Sequence, residues 1–147
     1  MSAETDMMKL YSARILALAA DMPRTERLES PMGSAKKRAP LCGSTVTVDI
    51  VLDGALITDY GQDVKACALG QAAASVIGNA IVGQNVDAVR DGRAQLLAML
   101  TSNGPAPSAP FEGLEVLLPA KEYKNRHASI MLAFDATLEA IDNATLT

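Results

Sequence analysis

The chain has 147 residues, 49% of them hydrophobic and 20% charged, with a formal net charge of −4. That length holds one ordinary domain with its own core, and that composition excludes a disordered chain. The acid excess argues against nucleic acid as a partner, because that needs a clustered basic face, and no apolar run is long enough to span a bilayer.

Residues 1–6 carry acid where a secretory signal needs base, and the apolar stretch 15–20 is too short for a signal core, so a cytoplasmic protein is expected. Tyr11, Ile15, Leu18 and Ala19 recur at helical spacing and predict an amphipathic helix over residues 3–20. Residues 21–41 hold Pro23, Pro31, Gly33 and Pro40 among several charges and predict a long loop. Its short cluster Lys36, Lys37 and Arg38 reads as a solvated stretch.

Val46, Val48, Ile50 and Leu52 share one face of a strand over 45–52, and Asp53-Gly54 predicts a hairpin turn. Residues 56–60 then return antiparallel, and 62–66 form a third strand. On this reading Cys42 opens the first strand and Cys67 ends the third, at opposite ends of a meander. Nothing local brings the two thiols together.

Leu69, Ala73, Val76, Ile77, Ala80 and Ile81 predict a helix that Gly83 ends. Val86, Val89, Leu96, Leu97 and Leu100 predict another, weakened in its middle by Gly92. Residues 104–110, with three prolines, predict an exposed, mobile loop. Phe111, Leu114 and Leu117 fit a short helix, and Ile130, Phe134, Leu138 and Ile141 fit a long final one. The fold class is α+β: a three-stranded antiparallel sheet packed against four to five helices, with residues 1–147 as a single domain.

Two cysteines in a reducing compartment read as thiols or ligands rather than a disulfide. Their plainer role is as small buried hydrophobes. Cys67 precedes a helix start, where the helix dipole lowers a thiol pKa, so Cys67 is expected to be the more reactive of the two.

Three motifs carry a resemblance: Cys42-Gly43-Ser44; Ala66-Cys67 followed by Ala72-Ala73-Ala74-Ser75; and Arg126-His127-Ala128-Ser129. In type and separation they resemble the motifs of the U-type iron–sulfur cluster assembly scaffolds, the NifU N-terminal-like and SufU-like branch. Phe111-Glu112-Gly113-Leu114 and Tyr123 resemble further family positions. The resemblance implies a site at Cys42, Ser44, Cys67 and Ser129, where the family has three cysteines and an aspartate. Serine stands here at the aspartate position, 44, and at the third cysteine position, 129. Hydroxyls are hard, weak ligands compared with thiolate and carboxylate, so a soft metal loses most of its hold. His127 offers an imidazole, but on a helix it points about 200° away from Ser129.

The resemblance implies a scaffold or carrier in iron–sulfur cluster assembly that binds iron or a cluster through Cys42 and Cys67. A homodimer would supply the four thiolates of a two-iron cluster. An alternative is a zinc-dependent or persulfide-accepting sulfurtransferase partner of a cysteine desulfurase, with Cys67 and Arg126 as its catalytic pair. A third is a metal-free paralogue that keeps only an interaction surface. The implied partners are a cysteine desulfurase and acceptor apoproteins, with neither nucleic acid nor membrane.

Overall fold

Ser12 caps the first helix. Its hydroxyl accepts the Ile15 N–H at 3.3 Å, satisfying one of the free donors at the start of α1 (Ala13–Ala20). The structure is a computed structural model that describes residues 11–40 and 42–145. The predicted helical start before residue 11 lies outside the described residues.

The expected long loop contains a strand, β1 (Gly33–Arg38). Its composition hides it, since it offers one small apolar side chain, Ala35, and three consecutive cations. Pairing defines it instead: β1 runs antiparallel to β2 (Thr45–Asp53), from Gly33 opposite Ile50 to Arg38 opposite Thr45. A second correction concerns residues 56–66. They form not two strands but one, β3 (Leu56–Lys65), antiparallel to β2, with Thr45 opposite Lys65. The sheet order is β1-β2-β3. Gly61, which reads as a break, lies mid-strand because a backbone passes over it: a Cβ there would stand 2.4 Å from the Glu26 carbonyl oxygen.

Period-2 alternation buries Val46, Val48 and Ile50 on one sheet face, against α2 (Ala68–Ala80) and α4 (His127–Thr145). Within that interface the buried Tyr60 hydroxyl and Thr137 Oγ1 share a hydrogen bond of 2.9 Å. On the other face the segment around Arg27 and Leu28 folds over the middle of the sheet. There Asp49, fully buried, accepts from Arg27 Nε at 2.5 Å and Nη2 at 2.9 Å, from the Leu28 N–H at 3.0 Å and from Ser34 Oγ at 2.6 Å.

Helix α3 (Val86–Thr101) runs unbroken through Gly92. The missing side chain makes room for rings: a Cβ would lie 2.7 Å from Phe111 and 3.0 Å from Phe134. Those rings pack edge to face at 5.3 Å. Residues 104–110 are irregular, as expected, but anchored, with Pro107 buried and the Ser108 N–H donating to Gln95 Oε1 at 3.0 Å. The short helix expected from Phe111 is a 3₁₀ run, Glu112–Glu122, with Pro119 inside it. A second 3₁₀ turn, Lys124–Arg126, leads into α4. No helix among the described residues is long and apolar enough to cross a membrane.

Candidate thiol site

The continuity of β3 overturns the expected separation of the two cysteines. A single antiparallel return brings its end beside the start of β2, so the chain enters β2 and leaves β3 at the same edge. Cys42 stands just before that entry and Cys67 just after that exit. Cys42 sits in the tight connection from β1 to β2, not on a strand. That connection is closed by the Gly43 N–H to the Ala39 carbonyl (2.9 Å) and the Ala39 N–H to the Ser44 carbonyl (2.8 Å). Gly43 takes φ +73° to make the turn, which leaves Cys42 exposed and turns Ser44 inward to 5% exposure.

Cys67 is the N-cap residue of α2, and its side chain makes no capping bond. Ser129 lies in the first turn of α4, 1% exposed. The four positions form one connected chain. Cys42 Sγ is 3.1 Å from Ser44 Oγ, Ser129 Oγ donates to Ser44 Oγ at 3.2 Å, and Cys67 Sγ is 3.4 Å from Ser129 Oγ. The approach of α4 depends on Gly70, where a Cβ would stand 2.7 Å from Ser129 Oγ and 3.0 Å from the Ser129 carbonyl. Sequence reasoning missed Gly70. A glycine in the first turn of an alanine-rich helix is the signal that points to it, since helix propensity alone disfavours it there.

The electrostatics single out Cys42. Its thiol pKa is lowered, first by the Ser44 hydroxyl donating to the thiolate and then by the Ser44 backbone N–H; partial burial opposes them, and the Ser129 hydroxyl adds to them. Exposure and this lowered pKa favour Cys42 as a nucleophile, where the sequence alone favours Cys67. Arg126 is half-buried at the end of the 3₁₀ turn before α4. The recorded bond of Cys67 is to Ser129, and none joins it to Arg126. His127 is occupied elsewhere, its Nε2 lying 3.0 Å from the Ala120 carbonyl.

Among the described residues no three His, Cys, Asp or Glu side chains converge. Three of the six edges that a tetrahedral site would need are short. Bonds of about 2.3 Å to sulfur and 2.0 Å to oxygen put neighbouring ligands roughly 3.5 Å apart, close to the 3.1 to 3.4 Å seen. Donor chemistry does not suit a four-ligand soft-metal site, because two of the four donors are neutral hydroxyls.

The crystal structure of a nitrogen-fixing NifU-like protein (N-terminal) from Brucella abortus superposes with a TM-score of 0.94 at 39% identity, over 97% of this chain and 99% of that one. The chain belongs to the NifU-like family of U-type iron–sulfur cluster assembly scaffolds. Two more distant structures share the family's fold. One is a candidate iron–sulfur cluster assembly scaffold protein for the SUF system from the thermophilic Fervidobacterium islandicum AW-1, with a TM-score of 0.83 at 19% identity over 91% of this chain and 98% of that one. The other is a protein of unassigned function, with a TM-score of 0.78 at 20% identity over 92% and 98%. No family model and no curated protein matches the sequence.

Proposed function

We propose that this chain is an iron–sulfur cluster assembly scaffold or carrier that holds its cargo, iron or a nascent cluster, through the thiolates of Cys42 and Cys67 alone. The observation that supports the reading is the continuous contact chain Cys42–Ser44–Ser129–Cys67, which gathers both thiols and both serines at one end of the sheet. Soft iron and sulfide chemistry selects thiolate over hydroxyl. Ser44 then donates its hydrogen bond to the Cys42 thiolate, Ser129 supports it by donating to Ser44 Oγ, and the remaining ligands come from a second polypeptide. Two ligands in place of four also favour release, which suits a carrier that must hand its cargo to an apoprotein.

The exposure and lowered pKa of Cys42 support a second reading at the same site, sulfur acceptance from a cysteine desulfurase. The Cys42 thiolate attacks the outer sulfur of the donor's cysteine persulfide, the donor's S–S bond breaks, and its inner sulfur leaves as thiolate. Cys42 then carries the new S–S bond, with no net oxidant required. Protein purified without oxygen and incubated with ferrous iron and sulfide separates the readings. Iron with acid-labile sulfide and a visible spectrum supports the scaffold. A mass increase of one sulfur on Cys42 after incubation with a desulfurase and cysteine supports acceptance. Zinc bound without sulfide points to the zinc-dependent sulfurtransferase, and no cargo of any kind leaves only an interaction protein.

A further inference from the structure

The cations of this acidic chain are divided by place. Arg27 and Arg93 hold close ion pairs with Asp49 and Asp135, and Arg24 and Arg90 reach Asp59 and Asp142 at 4.0 Å. Around the thiols the pattern reverses. Lys36, Lys37 and Arg38, which lead into the Cys42 turn, and Arg126, three residues before Ser129, have no carboxylate within 4.0 Å among the described residues. Lys65, two residues before Cys67, is 74% exposed and reaches Asp63 only at 4.0 Å. Elsewhere among the described residues, Arg14, Lys121 and Lys124 also have no carboxylate within 4.0 Å.

The sheet arranges three of these charges on one face. Ser34, Lys36 and Arg38 share the side of β1 that faces Asp49, as the Ser34 to Asp49 bond shows. Register then sets Arg38, Thr45 and Lys65 in one row across the three strands, and Lys36, Thr47 and Asp63 in the next. The segment over Asp49 and Gly61 covers the middle of this face, whereas Lys36, Arg38 and Lys65 are exposed at its thiol end. The Arg38 guanidinium also lies over the Cys42 turn, 3.8 Å from where a Gly43 Cβ would stand.

We infer that this open end of the sheet, with Lys36, Arg38 and Lys65 at its centre, is a docking face for an acidic protein surface, that of the sulfur-donating partner which exchanges cargo at Cys42 and Cys67. The inference rests on the proposed scaffold reading and names the chemistry of its partner. Arg38 and Lys65 are two strand spacings apart, roughly 10 Å, a spread suited to a row of carboxylates. A second copy docked on this face would bring two cation-rich ends together, which charge complementarity disfavours against an acidic partner. The net charge of −4 opposes nucleic acid. Unpaired rim charges of this kind act mainly on encounter rate and on salt dependence.

The test uses the full chain and the cysteine desulfurase of the same organism. Association is measured at 50 and 300 mM salt for the wild type and for the double variant Lys36→Glu and Arg38→Glu, and iron and sulfide loading from free salts is measured in parallel. Wild-type affinity is expected to fall on the order of tenfold or more with salt, and the variant to bind at least tenfold more weakly at low salt, with loading unchanged. Salt-independent association, absent association, or a variant that binds like wild type overturns the docking face. So does a variant whose loading from free salts falls in step with its binding, because the charges then serve the cargo. A wild type that loads no iron or sulfide while the variant still loses the desulfurase defeats the scaffold reading and leaves the acidic docking face standing.

Discussion

Giving positions 44 and 129 the ligand types that the family resemblance implies should create a metal site. In the double variant Ser44→Asp and Ser129→Cys, a carboxylate and a third thiolate replace hydroxyls whose oxygens already lie 3.1 Å from Cys42 Sγ, 3.4 Å from Cys67 Sγ and 3.2 Å from each other. These three contacts lie within a few tenths of an ångström of the corresponding edges of a zinc tetrahedron. Gly70 provides the space beside position 129 that the larger sulfur requires. Zinc that binds the folded chain alone, at 1,000 times its dissociation constant, adds about 4 kcal/mol of stability. For a chain of this size that is a rise of roughly 8 to 16 °C in the unfolding midpoint. Thermal unfolding with zinc and with chelator measures it. The wild type, with two thiolates and two hydroxyls, should move by far less. A double variant whose midpoint ignores zinc would refute the argument that ligand identity, and not geometry, sets the weakness of the native site.

Three further outcomes follow from individual contacts. Iodoacetamide near neutral pH should label Cys42 faster than Cys67, and Ser44→Ala should slow Cys42 by removing its main thiolate donor; mass spectrometry of both peptides reads it, and faster labelling of Cys67 contradicts it. Burial acts to raise the Asp49 pKa, but the hydrogen bonds from Arg27, Ser34 and the Leu28 N–H outweigh it and hold the carboxyl low. Asp49→Asn should therefore cost about 2 to 4 kcal/mol at neutral pH, discounted because Arg27 is half-exposed. Since the folded pKa lies below the unfolded one, that stabilisation is full above about pH 4 and drains as pH falls further; denaturant titrations at pH 7 and pH 3 should show the gap between wild type and variant narrowing. Gly70→Ala should destabilise the fold by about 1 to 3 kcal/mol, because a Cβ 2.7 Å from Ser129 Oγ forces α4 or its side chain to move, and should lower iron retention more than a surface Gly54→Ala change does.

The helices and the central strand were legible because burial writes a period into the sequence. Val46, Val48 and Ile50 alternate, and Leu69, Ala73, Val76 and Ile77 recur at helical spacing, because each must reach the same core. The strand β1 was not legible: an edge strand of charged residues is held by backbone pairing to Thr45 through Ile50, which leaves no side-chain period. The continuity of β3 through Gly61 failed for a related reason, since only the crossing of Glu26 explains a glycine there. A break at Gly61 would place the two thiols at opposite ends of the sheet. The four site positions came from the motifs and their resemblance, whereas their contact came from register. The activation of Cys42 depends on which way Ser44 turns after Gly43, a fact about one turn that no spacing carries.

The central claim is that cargo rests on two thiolates and not on the serines beside them. The direct measurement is iron and acid-labile sulfide per chain, after anaerobic reconstitution, for Cys42→Ala, Cys67→Ala, Ser44→Ala and Ser129→Ala beside the wild type. The account predicts that either cysteine change abolishes bound iron and sulfide while either serine change leaves most of both. Cargo that survives loss of a cysteine, or that disappears with a serine in a variant that still folds, would contradict it.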